Sequence, residues 1–519
     1  MNHLDGTGHA PHGVSHTDGG SIVATAIETS SPTGMALPEA DRPFRVEQHG
    51  IDFIPLSERW ARPRDLGSMW AGASVQIEYF FYGAILMTFG FTFAQAVSLI
   101  VIGNVSYFLL GLCSLQGPQA GTTAFAINRA SYGTNGSRGI AFFNWFTQIG
   151  FEVEGLILIV GAGLVLGIKA GIAPTTTQKA LFVVGAVLIQ GVLPVLGHAT
   201  IVKTLRYLAV PFMVLFAVVL GFALPHATVH GVADGADWQT YLEGLAFTIT
   251  LSGLGWTENG NDYSRYCRPD ASKRSIMSWV FVGTALPEIL IMLLGAAVGT
   301  FLTNVGKTAN AFLPFAHQSA FPSWFVVVFL VFAILQLFAI NSLDMYSSGV
   351  TLQAMGVRVK RYTAVVIDCV IALGVALYAI FDSSFGTYMK DFVDVVIVWI
   401  APWCAIFLVD WTMRRFRYVP TELQRTDRDG LYYGVTGVSW PAVVAQVVGM
   451  YAALSALSAT FSLPTWLNPI TYYTHDKAGY GADFSVYLGM GAGGLLYLVL
   501  AWASVKRQRA REDELLARR

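Results

Sequence analysis

Apolar residues in this chain neither alternate with polar ones at a strand's period nor form a one-sided helical stripe. They run in nearly uncharged blocks separated by short clusters of charge. Blocks of about 20 residues match a helix crossing roughly 30 Å of hydrocarbon. The pattern predicts twelve spans, at 67–90, 94–114, 139–166, 179–197, 207–225, 243–264, 275–302, 322–350, 361–381, 390–411, 436–460 and 481–504. The fold class expected is an all-α polytopic membrane protein with residues 61–411 as a ten-helix core and 412–504 carrying two additional helices. Residues 1–60 read as a disordered cytoplasmic tail, without the apolar stretch of a signal peptide, and 505–519 as a cytoplasmic C-terminal tail.

Charge orients the spans, because Lys and Arg near span ends stay in the cytoplasm. Of 32 basic residues, 27 fall in the termini and alternate loops of one side; the other side holds Lys169, Lys179, Lys307, Lys390 and Lys477. Both termini are therefore expected in the cytoplasm of a cell whose plasma membrane the chain spans. Losing one span would swap every later loop, so the clean sorting supports the count. With 54% hydrophobic and 13% charged residues a soluble fold is excluded, and a net charge of −1 leaves no basic surplus for nucleic acid. Cys113, Cys267, Cys369 and Cys404 lie far apart and define neither a disulfide framework nor a zinc site. His3, His9, His12, His16 and His49 are irregularly spaced in the tail, which reads as disordered rather than metal-binding; no metal and no cofactor is expected.

Two spans look interrupted. WAGASVQIEYFFYG (70–83) puts Ser74, Gln76 and Glu78 at mid-membrane, and LSGLGWTENGNDYSRY (251–266) carries Gly253, Gly255 and Gly260. Glycine and polar groups at that depth suit unwound chain lining a cavity, although any single glycine is equally explained by close helix packing. As the first and sixth spans they head the two halves of an inverted-repeat transporter. Glu78, Glu152, Glu154, Glu288, Asp344, Asp368 and Asp394 also lie within spans. A carboxylate costs about 2.5–3.5 kcal/mol at a helix centre, so each needs a partner or a function. Asp368 is expected to reach the interface, and Asp394 is equally compatible with doing so.

These residues resemble a known family. GWTENGNDYSRYCRP (255–269) is similar to the sixth-span signature of the purine-cytosine permeases of the nucleobase-cation symporter family. INRASYGTNGSRG (127–139), QIGFEVEG (148–155) and NSLDMYSSGVTLQ (341–353) are similar to that family's loop before span 3, its span 3 core and its span 8. The resemblance implies a LeuT-like fold of two inverted five-helix repeats plus two C-terminal helices, with substrate between spans 1, 3, 6 and 8. Gln148 matches a glutamine that hydrogen-bonds the base, and Phe151 an aromatic that stacks on it. Ser252 and Gly253 match in span 6, where some relatives carry a stacking aromatic in place of Gly253; Trp256 supplies that ring or simply packs. Gln336 and Asn341 match in span 8, and Gln76 joins the list from span 1. Sodium-coupled relatives place two hydroxyl residues where this chain has Ala339 and Ile340, so proton coupling is expected over sodium.

Secondary active import of a purine, cytosine or related small nitrogen heterocycle is the function these residues imply, with allantoin, hydantoins and pyridine vitamins as family alternatives. Glu152, sharing a helix face with Gln148, is the first candidate for the coupling proton, with Glu154 and Asp344 behind it. An embedded enzyme is disfavoured by the absence of catalytic motifs, His198 being a lone histidine at a span end. The loop GPQAGTTAFAINRASYGTNGSRG lacks the major-facilitator pattern. A non-transporting sensor with the same pocket remains the other class.

Overall fold

The computed structural model describes residues 50–517 apart from 196–197, 231–232, 303, 306, 309, 358–360, 383–384, 460–461 and 478–481. The five tail histidines lie outside the described residues. Every regular element described is helical, apart from isolated bridges pairing Ala61 with Cys267 and Val435 with Val438.

The chain enters through α1 (Pro63–Ser74), leaves helical geometry at Val75 and Gln76, and resumes as α2 (Ile77–Leu86). An apolar unit bent near Val105 follows, α3 (Phe93–Asn104) with α4 (Tyr107–Cys113). Next come α5 (Arg129–Lys169), bent at Gly133, α6 (Thr176–Gln190) and α7 (His198–Ala223). α8 (Trp238–Ile249) runs into a π turn at Thr250–Leu254 and ends; α9 (Gly260–Ser264) continues after a 3-10 turn. The remainder is α10 (Lys273–Gly299), α11 (Ser323–Ala354), α12 (Arg361–Asp382), α13 (Phe385–Met413), α14 (Trp440–Ser455) and α15 (Ser485–Ala517). Among the described residues nine helical segments are long and apolar enough to cross a membrane, and Ile77–Phe89 and Trp440–Ser455 are shorter apolar helices. The two segments expected to be interrupted are broken.

Without a hydrophobic drive between helices in lipid, close approach of small residues holds the bundle. A Cβ at Gly83 would lie 2.0 Å from the Met292 carbonyl oxygen, and one at Gly295 1.9 Å from that of Phe80, so α2 and α10 touch backbone to backbone. α5 lies along α11, where a Cβ at Gly155 would lie 1.9 Å from Asn341 Oδ1.

Loops that the charge rule assigns to one side meet each other. Ile54 N donates to the Gly121 carbonyl (2.8 Å), Thr122 Oγ1 and Gln424 Nε2 to that of Ile51 (2.6 and 3.3 Å), and Arg265 Nη1 to that of Gly50 (2.6 Å). Toward the other end Gln95 Nε2 donates to Ala236 O (2.8 Å), and Lys390 pairs with Glu243 at 3.2 Å.

Three expectations are corrected. The tail expected to run to residue 60 is packed from Gly50 onward: Ile54 is fully buried, and Arg59 donates to the carbonyls of Ile54 (2.9 Å) and Pro118 (2.5 Å). Burial pushes the Arg59 guanidinium down to about 10. The helix expected to end at 504 continues to Ala517, because the buried Arg414, already paired with Asp410 at 2.9 Å, takes Glu512 at 2.6 Å as a second carboxylate. Asp368 does not reach an interface; it is buried and accepts from Trp145 Nε1 at 3.1 Å.

Gly83→Ala forces the Met292 backbone to move, and the variant is expected to lose about 1–3 kcal/mol to overpacking. Gly185, whose Cβ would meet nothing within 4 Å, should accept alanine with no loss. Thermal unfolding of the two detergent-solubilised variants checks this, and equal melting temperatures would refute the packing assignment.

Candidate substrate site

The two breaks need partners, since backbone groups freed at membrane depth cannot turn to lipid. Ile77 N, the first donor of α2, is met by Gln336 Oε1 of α11 at 3.4 Å. At the other break Ser252 leaves helical geometry (φ −90°, ψ −123°), Gly253 N donates to Ser106 Oγ at 2.9 Å and Gly255 N to the Thr250 carbonyl at 2.9 Å. Between the breaks, with α5 and α11 closing the sides, lies a small cavity.

Its walls divide by chemistry. Phe151 of α5 and Trp256 present nearly parallel rings, 12° apart in plane with centroids 6.5 Å apart. Both rings border the cavity, so each can offer apolar surface to a planar ligand there. Phe392 meets Phe151 edge-on at 4.9 Å and Trp70 meets Trp256 edge-on at 5.7 Å, fixing both rings. The rest of the lining is largely polar: Gln76, Glu78 and Tyr79 around the first break, Tyr82 and Glu154 bonded at 2.6 Å, and Asp344 of α11. Glu78 occupies the first turn of α2, where the helix dipole favours a negative charge. The Oε1 atoms of Gln76 and Gln148 are buried and make no hydrogen bond within the protein. An amide oxygen so placed seeks a donor, such as a heterocycle's N–H edge.

Of the residues singled out from sequence, Gln76, Phe151, Trp256, Glu154 and Asp344 line this cavity. Gln148 sits one turn before Phe151 and donates to Glu258 Oε1 at 3.2 Å. Others lie elsewhere. Glu152 accepts from Gln190 Nε2 of α6 at 2.6 Å, and Asn341 Nδ2 donates to the Glu152 carbonyl (3.0 Å) and to Gln190 Oε1 (3.1 Å). Glu152 and Asn341 thus form a joint between α5, α6 and α11. Gln336 caps α2, and Ser252 donates to Glu288 of α10. Gly253 abuts α4: a Cβ there would lie 2.1 Å from the Ser106 carbonyl carbon. Sequence reading missed Tyr79 and Tyr82 in the lining and Glu258 as the partner of Gln148; all three had a signal, the tyrosines inside the interrupted stretch 70–83 and Glu258 inside the span 6 signature.

A second cavity lies near Phe89, Glu243, Lys390, Asp394 and Asp483. Its ion pair is matched and Lys390 Nζ sits 4.0 Å above the Phe89 ring, so it offers no parallel ring pair to a planar ligand.

A family model described as a permease for cytosine/purines, uracil, thiamine and allantoin matches residues 53–475. The chain belongs to this permease family. It is a membrane transporter and not an enzyme. Similar relatives include the putative purine-cytosine permease YxlA of Bacillus subtilis, 24% identical over 91% of this chain and 99% of the relative. The purine-cytosine permease fcyB of Emericella nidulans is 22% identical over 89% and 90%. Among solved structures Mhp1, a nucleobase-cation-symport-1 family transporter in a closed conformation with bromovinylhydantoin bound, superposes with a TM-score of 0.68 at 17% identity, covering 92% of this chain and 99% of that one. The likeness establishes the permease's fold as that of Mhp1.

Because a Cβ at Gly253 meets backbone, Gly253→Ala should lower the yield of monodisperse permease and its melting temperature whether or not ligand is present. A Gly253→Ala protein of normal stability that has lost only ligand affinity would instead place Gly253 in the cavity wall.

Proposed function

We propose that this permease imports a purine, cytosine or related small nitrogen heterocycle by proton symport with alternating access. The chain crosses the plasma membrane twelve times, the first ten passes forming two inverted five-helix repeats and the last two appended, with both termini in the cytoplasm. The observation that carries the substrate class is the nearly parallel pair of Phe151 and Trp256 at the cavity, with the unpaired amide oxygen of Gln76 in the same lining and that of Gln148 one turn from Phe151. The relatives named purine-cytosine permeases support the same class. The charge-sorted loops support the orientation.

Proton coupling is favoured because Ala339 and Ile340 bring no side-chain oxygen to the place where sodium-coupled relatives have two hydroxyls. Of the three candidate carboxylates, Glu154 and Asp344 line the cavity beside Glu78, where proton and substrate share one space. Glu152, which faces Gln190, is the weakest of the three on geometry.

Uptake into vesicles of purified protein under an imposed proton gradient, across a panel of nucleobases, hydantoins and allantoin, tests the reading. At least one compound should accumulate, choline should replace sodium without effect, and a protonophore should abolish accumulation. No accumulation across the panel would sink the function, and strict sodium dependence would sink the coupling. Gln148→Ala should weaken binding by about 1–3 kcal/mol, the cost of leaving a polar edge unpaired. Phe151→Ala should do likewise while Phe151→Trp retains uptake; wild-type affinity in either alanine variant removes that residue from the site.

A further inference from the structure

Glu288 is fully buried in the middle of α10, away from the cavity, and nothing so far accounts for a carboxylate there. Its two oxygens are both engaged. Ser252, at the break after α8, donates to Oε1, and Tyr107 of α4 donates to Oε2. The Tyr107 hydroxyl lies 3.2 Å from that of Tyr79, which also borders the carboxylate. Tyr79 in turn accepts from Trp256 Nε1 at 2.9 Å. An unbroken chain of hydrogen bonds therefore runs from a ring of the substrate site to a buried acid, through three helical segments.

Donor counting gives this chain a direction. An ionised carboxylate only accepts, and an indole N–H only donates. With Glu288 ionised, Ser252 and Tyr107 each give it a hydrogen, and Tyr79 turns its own hydrogen inward, to Tyr107 or to the carboxylate. The oxygen of Tyr79 is left to accept from Trp256. When Glu288 takes up a proton, one of its oxygens becomes a donor. With the proton on Oε2 and Oε1 still taken by Ser252, Tyr107 accepts and turns its hydrogen to Tyr79, which thereby loses both of its inward acceptors. Each proton stays on its own oxygen; only the O–H directions reverse, and the added proton resides on Glu288. Trp256 cannot reverse, so the Tyr79 hydrogen is the one released, and Tyr79 lines the cavity.

We propose that Glu288 is a proton-binding residue linked to the heterocycle site by this reversible hydroxyl chain, so that its protonation presents the Tyr79 O–H to a ring nitrogen or carbonyl of the bound heterocycle. Proton and substrate then strengthen each other's binding, and by linkage the effect is equal in both directions. The inference rests on the proton-symport reading above, and names for it a residue outside the cavity. The groups that meet Glu288 are Tyr79 from α2, Tyr107 from α4 and Ser252 from the turn after α8. From α3, Asn104 approaches Met292 at 3.7 Å and brings no charge.

Equilibrium binding of the heterocycle that the uptake panel identifies, measured against pH without any gradient, tests the proposal. In the wild type Kd should fall as pH falls, by up to about tenfold per pH unit where Glu288 titrates. Glu288→Gln keeps the shape and cannot take a proton, so the pH slope should vanish and uphill accumulation should stop while exchange of bound for free heterocycle continues. Tyr79→Phe leaves Glu288 in place but removes the switching hydrogen, and should flatten the slope as well, which decides the matter if Glu288→Gln fails to fold. A wild-type slope in either variant overturns the proposal, as does a slope abolished by Asp344→Asn but not by Glu288→Gln. A panel in which nothing accumulates would instead remove the functional reading, and is a separate result.

Discussion

A helix interrupted inside a bilayer must find hydrogen bonds for the backbone it has freed, and this requirement organises the permease. Two helices are interrupted, after Ser74 and after Ile249, and each interruption draws polar side chains into otherwise apolar neighbours. Gln336 exists within α11 to meet Ile77 N, and Ser106 within the α3–α4 unit both holds Gly253 N and donates to Ile249 O at 3.4 Å. Polar atoms therefore collect where the helices break. The site is the place where that polar collection meets a pair of rings.

The division of the cavity lining suits the flat nitrogen heterocycle proposed as substrate. Its faces are apolar and polarisable, which Phe151 and Trp256 match, and its edge alternates donors and acceptors, which amide and hydroxyl groups match. Carboxylates are costly at this depth, yet Glu78, Glu154 and Asp344 all border one small volume. Three acids around one small volume support the proposed proton coupling, and the chain from Trp256 to Glu288 is its proposed extension beyond the cavity wall.

Much of this was legible in the residues. Span positions follow from uncharged length, and the two breaks from glycine and polar groups at mid-span. Gln148 and Phe151 stood out through the motif that carries them. Other features needed the tertiary structure. The i, i+4 spacing of Gln148 and Glu152 fixes a helix face but not the neighbour on it: Gln148 meets Glu258, whereas Glu152 meets Gln190 of α6. Glycine at 253 reads equally as lining or as packing until Ser106 is seen against it. The chain of Tyr79, Tyr107 and Glu288 joins residues up to 209 positions apart in sequence, each unremarkable by itself. The packed segment from Gly50 looked like tail because its order comes from loop carbonyls and Arg59, not from any local pattern.

The most direct measurement is an experimental structure of the permease with its transported heterocycle bound. The ring plane should lie between Phe151 and Trp256, parallel to both, with its edge in hydrogen-bond reach of Gln76 or Gln148. A heterocycle found instead among Phe89, Glu243 and Lys390, or against Asn341 in the joint between α5, α6 and α11, would contradict the account.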